Sequence, residues 1–257
     1  MTSGDPALSV VIPAFNEENR LPRTLERIQQ YFSARFDGLD VVEVLVVDDG
    51  STDATARIAQ DWAQRFPGWR LVSNLENRGK GYSVRHGMLV ARGRIALFTD
   101  ADLSSPIEEC EKLLAAISRG NDFAIGSRAL DRSLITVRQA RYRELAGIIF
   151  NGFVRILTGL PFYDTQCGFK AFLREPSAIV FEQQRIEGFG FDPEILFLAK
   201  RHGLRGEEVA VRWAHDPATK VQVVRDSIRM FGDLLVIRCN ALLGRYPRSQ
   251  RGVRVAL

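Results

Sequence analysis

Patterns of buried strands and amphipathic helices alternate through the first half of the chain, and this alternation restricts the fold more than any other feature. Short apolar runs predict strands at residues 8–13, 41–47, 70–73, 95–99 and 123–126. Between these runs, apolar residues recur at helical spacing. Strands joined by helices form right-handed crossovers and a mostly parallel sheet. The sequence therefore predicts an α/β fold whose ligands bind beyond the carboxyl ends of the strands.

The second half of the chain is more mixed. Helices are predicted at residues 141–157, 193–201 and 224–243, and short strands at residues 169–172 and 209–213. We expect a single domain over residues 1–245, with one half at 8–126 and the other at 127–245, followed by a basic tail at 246–257.

Two carboxylates, Asp100 and Asp102, end the fourth predicted strand. The two-residue period of an extended chain places both on the same side. Two hard oxygen ligands at such a place suit Mg²⁺ or Mn²⁺ bridging a diphosphate. An acidic turn with no ligand would explain this stretch if it stood alone, but other polar sequences follow strands in the same half.

Polar loops follow the first two predicted strands. In residues 13–18 (Pro-Ala-Phe-Asn-Glu-Glu), Asn16 can cap the next helix or border a nucleotide. In residues 48–53 (Asp-Asp-Gly-Ser-Thr-Asp), helix capping explains residues 51–53 without any ligand.

The remaining polar residues of these loops call for a partner. Two adjacent acids, Asp48 and Asp49, are costly at a crowded strand end, and a base N–H or a ribose hydroxyl would provide one of them with a donor. Residues 77–81 (Asn-Arg-Gly-Lys-Gly) are similar to a phosphate-binding loop, although they do not form a Walker A motif. Lys80 beside small residues and a helix start suits a diphosphate or a base edge.

In this order, the motifs resemble those of family 2 glycosyltransferases with the GT-A fold. The resemblance is carried by residues 11–18, 47–53, 77–81 and 99–102. Three further stretches resemble polyprenyl-phosphate sugar transferases: residues 126–128 (Gly-Ser-Arg), 164–170 (Asp-Thr-Gln-Cys-Gly-Phe-Lys) and 191–194 (Phe-Asp-Pro-Glu). The nearest branch is the dolichyl-phosphate β-glucosyltransferases, to which dolichyl-phosphate mannose synthase is related.

The resemblance implies a role for each matching residue and a Rossmann-like, mostly parallel sheet flanked by helices, with a mixed acceptor-side half. The implied nucleotide-binding residues are Pro13, Phe15, Glu17, Asp48, Asp49, Lys80, Asp100 and Ala101. The implied metal ligands for Mg²⁺ or Mn²⁺ are Asp100 and Asp102. The implied acceptor-phosphate residues are Arg128, Arg141 and Arg143, and those near the reacting sugar are Asp164, Gln166, Lys170 and Asp192.

The function implied is an inverting transfer of a hexose to polyprenyl or dolichyl phosphate, with UDP-glucose favoured as the donor. One alternative is a GDP-mannose donor, and another is a polysaccharide, glycolipid or other acceptor. A non-catalytic nucleotide-sugar binding protein is a third class, against which the intact acidic pair argues. With a hydroxyl acceptor, Asp164 or Asp192 would be the candidate base, whereas with a phosphate acceptor Asp164 would only orient a sugar hydroxyl or the acceptor.

Net charge and the length of the apolar runs limit which ligands and surfaces the chain is expected to bind. The net charge of +4 is mild, so it suits anionic ligands or a lipid surface and does not indicate nucleic acid. No apolar run approaches about 18 residues, so we expect no transmembrane helix. We expect a cytoplasmic protein with peripheral membrane contact. The helix at residues 224–243 is either interfacial or packed on the core, and the tryptophans Trp62, Trp69 and Trp213 are expected to pack in the core or at sheet edges.

Overall fold

The structure, a computed structural model, describes residues 6–35, 42–216 and 223–247, without the side chains of residues 223–227. Its strands are β1 (Leu8–Ala14), β2 (Val42–Asp48), β3 (Trp69–Ser73), β4 (Ile95–Phe98), β5 (Phe123–Ser127), β6 (Ile135–Val137), β7 (Lys170–Leu173), β8 (Gly206–Ala210) and β9 (Trp213–Ala214). Its α-helices are α1 (Leu21–Arg35), α2 (Thr55–Arg65), α3 (Lys80–Val90), α4 (Cys110–Ser118), α5 (Arg141–Thr158), α6 (Arg174–Gln183), α7 (Phe191–Arg201) and α8 (Val223–Leu242). Most of the predicted basic tail, residues 248–257, lies outside the described residues.

Seven strands form the main sheet in the order β3-β2-β1-β4-β7-β5-β8. Strand β7 is antiparallel to both of its neighbours, while every other pair in the sheet is parallel. Ala14 pairs with Asp48, and Asp48 pairs with Ser73, so the first three strands end at one level. This topology confirms the predicted α/β fold and brings the polar loops to one edge of the sheet.

Helices cover both faces of the sheet, which is why β1 and β2 are buried at every position. On one face, Val11 and Phe98 pack with α3, α6, α7 and α8. On the other face, Val10 and Ile12 pack with α1 and α4. The continuous apolar runs in the sequence are therefore the signature of strands buried on two sides.

The strand predicted at residues 209–213 is wrong as a single element. Strand β8 ends at Ala210, and β9 pairs with β6 in a separate two-stranded sheet. The chain turns between them because Glu109 accepts hydrogen bonds from the backbone N–H of Arg212, at 3.1 Å, and from its Nε, at 2.5 Å. Helix α6 was not predicted from the sequence. Its Pro176 lies in the first turn, where proline is tolerated.

Candidate active site

Reciprocal hydrogen bonds join the loops after β1 and β2. Asn16 has a left-handed φ of 55°, and its Oδ1 accepts from the backbone N–H of Thr52 at 2.8 Å. Its own N–H donates to Ser51 Oγ at 2.9 Å, and that of Glu17 donates to Thr55 Oγ1 at 2.7 Å. Capping, which was one of two interpretations of Asn16 and the predicted role of Ser51, is therefore corrected: these side chains hold the two strand-end loops together.

Asp49 performs the same kind of task for residues 77–81. Its Oδ1 accepts from Asn74 Nδ2 at 2.8 Å and from the Arg78 N–H at 3.2 Å, and its Oδ2 accepts from the Gly79 N–H at 2.7 Å. Gly79 has a φ of 106°, where a side chain would be strained and would also meet Glu187 O. The buried carboxylate thus shapes the loop that presents Lys80.

A cavity of about 410 Å³ opens at the carboxyl ends of these strands, and we call it the strand-end cavity. Every residue predicted for the nucleotide lines it except Asp48. The Asp48 carboxylate is buried and accepts from the backbone N–H of Ser51 at 3.3 Å, so it supports the turn from behind. The parallel register explains why residues that are far apart in sequence line a single cavity.

A second cavity of about 260 Å³, which we call the helix-side cavity, adjoins the first. The two share four residues: Lys80, Asp100, Asp102 and Phe189. Beyond them, the helix-side cavity is lined by polar residues, most of them from the second half, and by apolar residues that include members of α5 and α8. These include Arg128, Arg143, Phe150, Gln166, Asp192 and Met230.

Charged side chains of opposite sign meet where the cavities join. Lys80 Nζ lies 2.5 Å from Asp100 Oδ1. Burial by itself would lower the pKa of Lys80, but Asp100 and Asp192 raise it above its ordinary value, so the ammonium stays charged. Burial, with a further contribution from Asp100, raises the pKa of Asp102. Asp102 Oδ1 accepts from the backbone N–H of Ser104 at 2.8 Å.

A second ion pair lies deeper, between the fully buried Lys170 of β7 and Asp192 of α7. Lys170 Nζ also donates to Cys167 O at 2.6 Å. Burial raises the pKa of Asp192, although Lys170 and Lys80 partly oppose the rise. Asp192 lines the helix-side cavity, so the pair supports that wall.

Asp164 forms a bidentate pair with Arg128. Arg128 Nε donates to Oδ2 at 2.7 Å, and Nη2 donates to Oδ1 at 2.8 Å. Burial opposes ionisation of Asp164, but the guanidinium outweighs it and lowers the pKa of the carboxyl below its usual range. A carboxylate held in this way is a weak base, and its position indicates that it orients Arg128.

The other two predicted acceptor-phosphate residues differ in placement. Arg143 lines the helix-side cavity, and its Nε donates to Tyr142 Oη at 3.2 Å. Arg141 is exposed and lines neither cavity, so the structure does not bring it to the site.

Several residues of the site were missed in the sequence. Arg20 lines the strand-end cavity, where its Nε donates to Glu17 at 2.6 Å. Its position three residues after Glu17 is the sequence signal that could have predicted this ion pair. Phe189 lies in the wall common to both cavities, and no pattern singles it out. Trp213 lies in β9, at a sheet edge, and it also lines the helix-side cavity, with Arg128 Cζ 5.4 Å from its ring centroid.

The donor set at the junction suits a divalent cation that takes part of its coordination from substrate. Asp100 and Asp102 offer carboxylate oxygens beside an open cavity. No cluster of three or more His, Cys, Asp or Glu ligands occurs in the part of the chain that the structure describes. Mg²⁺ is commonly held by one or two carboxylates together with substrate phosphates and water, so these residues fit such an ion.

A family model agrees with this site. The model for glycosyl transferase family 2 matches residues 9–179, which include the polar loops after β1, β2 and β3 and the acidic pair Asp100 and Asp102. The chain belongs to glycosyl transferase family 2. The resemblance drawn from the motifs is therefore confirmed, and the chain is a glycosyltransferase.

Named relatives refine the comparison. A dolichyl-phosphate β-glucosyltransferase of Drosophila melanogaster is 37% identical over 250 residues, which cover 93% of this chain and 76% of that protein. The enzyme of that name from Homo sapiens is 35% identical over 254 residues, covering 95% and 78% of the two chains. The resemblance to this branch is thereby confirmed.

Solved structures confirm the GT-A fold. Mannosyl-3-phosphoglycerate synthase from Rubrobacter xylanophilus matches with a TM-score of 0.64 at 20% identity, over 98% of this chain and 79% of that one. Glucosyl-3-phosphoglycerate synthase from Mycobacterium tuberculosis, crystallised with Mn²⁺, UDP and glucosyl-3-phosphoglycerate, matches with a TM-score of 0.59 at 22% identity, over 98% of this chain and 83% of that one. At these identities the likeness concerns the fold alone.

Proposed function

We propose that this glycosyltransferase moves glucose from UDP-glucose to a dolichyl or other polyprenyl phosphate. The names of the relatives support the sugar and the acceptor. The observation that carries the proposal is the wall common to the two cavities, which contains Lys80, Asp100 and Asp102. A nucleotide diphosphate in the strand-end cavity would place its sugar towards the helix-side cavity, where Arg128 and Arg143 could hold a phosphate.

The reaction needs positioning more than proton removal. A phosphate acceptor is already ionised at neutral pH, so its oxygen can attack the anomeric carbon in line and convert an α-linked donor into a β-linked product. Arg128, oriented by Asp164, would hold this acceptor, and Lys80 would contact the leaving diphosphate. Asp100 and Asp102 would hold Mg²⁺ or Mn²⁺, which when bound supplies positive charge beside that diphosphate.

Product analysis by mass spectrometry tests the proposal. Purified protein is mixed with a short polyprenyl phosphate, Mg²⁺ or Mn²⁺, and UDP-glucose or GDP-mannose in parallel. We expect a polyprenyl-phosphate hexose from UDP-glucose that is lost in Asp102→Ala and retained in Asp131→Ala, whose carboxylate bonds Ser133 away from both cavities. Product from GDP-mannose alone would refute the donor, and donor hydrolysis without lipid product would refute the acceptor.

We propose further that α5 and α8 contact the membrane that carries the acceptor. The two helices pack together through Phe153 and Phe231, whose ring centroids are 5.3 Å apart, and the apolar side chains on their outer surfaces stay exposed. These exposed residues include Leu145, Ile148, Ile149, Ile156, Leu235, Val236 and Leu242. Exposed arginines, Arg155, Arg229 and Arg238, accompany them and suit anionic headgroups.

The position of these helices supports the membrane proposal, because α5 and α8 also line the helix-side cavity through Phe150 and Met230. Across the described ranges, no helix is long and apolar enough to span a bilayer.

Flotation with phosphatidylglycerol vesicles tests the contact of α5 and α8 with a membrane. Ile156→Glu with Leu242→Glu should weaken binding at least about tenfold, because each apolar side chain contributes roughly 1.5–3 kcal/mol when buried. Unchanged flotation would refute it. Location at the cytoplasmic face stays a prediction.

A further inference from the structure

The ion pair between Lys80 and Asp100 occupies the place where the proposed metal ion and diphosphate would meet. The two side chains are 20% and 33% exposed, so the pair faces both cavities. Asp102 and Asp192 line the helix-side cavity with it. One ammonium group therefore lies among three carboxylates, and it offsets part of their mutual repulsion.

The two partners differ in their freedom to move. The Asp100 carboxylate packs over Gly168, where a Cβ atom would come within 2.2 Å of it. The Lys80 backbone is held at the start of α3, since the Tyr82 N–H donates to Glu187 O at 3.1 Å and Gly79 packs against the same carbonyl. Its ammonium, however, ends a flexible four-carbon side chain. A change of partner would therefore move the lysine side chain rather than the aspartate.

We propose that the Lys80 ammonium occupies the place of the metal ion at Asp100 until the donor binds. The Lys80 side chain then moves, and its ammonium pairs with the diphosphate instead. This inference rests on the metal site of the proposed function. A divalent cation cannot share Asp100 closely with an ammonium group, because like charges repel. A diphosphate gives Lys80 a new anionic partner and provides the cation with further oxygen ligands. The metal ion alone should therefore bind weakly, and metal ion and nucleotide should bind cooperatively.

Binding measurements on the full chain test this exchange without any turnover. Free Mn²⁺ is titrated by electron paramagnetic resonance, and UDP binding at saturating Mn²⁺ is measured by calorimetry, with GDP in parallel. Lys80→Gln should bind Mn²⁺ alone at least about tenfold more tightly than the wild type, because a competing charge is removed. The same variant should bind UDP with Mn²⁺ about tenfold more weakly, because a charge-assisted contact is lost.

Two matched variants control the experiment. Lys112→Gln removes a lysine that pairs with Glu109 outside both cavities, and it should leave both affinities unchanged. Lys80→Arg keeps the charge and should keep Mn²⁺ binding as weak as in the wild type. Thermal melting of each variant checks that it is folded.

The opposite signs make the proposal easy to overturn. Mn²⁺ affinity that is unchanged or weaker in Lys80→Gln would refute the substitution at Asp100. UDP affinity that is unchanged in Lys80→Gln would refute the transfer to the diphosphate. Asp102→Asn separates this failure from that of the metal site: if Asp102→Asn binds Mn²⁺ with UDP as the wild type does, the proposed metal site itself is wrong.

Discussion

Replacement of Asp164 by asparagine tests whether this residue orients Arg128 or removes a proton. Four donors share the two carboxylate oxygens: the Arg128 N–H and Nε on Oδ2, and Arg128 Nη2 and the Gln166 N–H on Oδ1. In either orientation, the amide nitrogen of an asparagine would face two of these donors. The substitution therefore removes about two charge-assisted hydrogen bonds.

The expected loss of stability follows from this geometry. Breaking a fully buried pair costs about 3–5 kcal/mol, but the side chains of Asp164 and Arg128 are 9% and 28% exposed, so partial screening reduces the loss to about 2–4 kcal/mol. For a chain of this length the Tm should fall by about 5–15 °C. Asp131→Asn, which changes an exposed carboxylate, is the matched control and should shift the Tm little.

The pH dependence has a defined sign. Burial alone would raise the pKa of Asp164, but the Arg128 guanidinium lowers it by more than burial raises it. The pKa of Asp164 in the folded chain therefore lies below its value in the unfolded chain. The ionised group therefore stabilises the fold above the unfolded pKa, and this contribution is lost as the pH falls through the folded pKa. The difference in Tm between the wild type and Asp164→Asn should be complete at pH 7 and should narrow below about pH 4.

Kinetics decide the role of Asp164 in the reaction. If Asp164 positions Arg128, Asp164→Asn should raise the KM for a polyprenyl phosphate about tenfold and should change kcat by less than about tenfold. Removal of a general base lowers the rate by about 10²–10⁴-fold. A fall in kcat of that size, with unchanged acceptor KM and unchanged Tm, would refute the positioning role. Steady-state assays of Asp164→Asn, Asp131→Asn and wild type at saturating donor measure it.

Two further substitutions test the supports of the site. Gly168→Ala places a Cβ within 2.2 Å of the Asp100 carboxylate, so calorimetry should show that UDP with Mn²⁺ binds at least about tenfold more weakly. The control is Gly152→Ala, whose added Cβ meets no atom within 4 Å and which should bind UDP as the wild type does. Equal affinities of the two variants would contradict the predicted crowding at Asp100. Tyr246→Phe removes the hydroxyl that donates to buried Glu194 at 2.6 Å, so urea unfolding should show a loss of about 1–3 kcal/mol, and a loss under 0.5 kcal/mol would contradict an intact bond.

The sheet was predictable because its information is local. Strands such as β1 and β2 are apolar at nearly every position and are bounded by polar loops, so both their presence and their parallel pairing follow from pattern and connection length. Strand β9 was not predictable in this way. Its separation from β8 depends on Glu109, a residue about 100 positions earlier, which binds the backbone and side chain of Arg212.

The walls of the strand-end cavity were predictable for a related reason, since residues that follow parallel strands must meet at one edge. Capping was the weaker part of that reading. Asn16 and Ser51 each satisfy the local rule for a helix N-terminus, but both instead bond across the two loops. Local propensity could not reveal this, because the partner lies 35 positions away and is equally polar.

The pairing of charges was beyond the sequence altogether, and it changes the chemistry expected of each residue. Asp131 lies only three residues after Arg128 in the chain, yet Arg128 pairs with Asp164, which its backbone N–H also contacts at 2.9 Å. That pairing makes the carboxylate a poor base and makes the guanidinium a rigid fork rather than a mobile one. The ion pairs therefore decide which residues can still act in proton transfer. These pairs depend on contacts that the spacing of residues in the sequence does not predict.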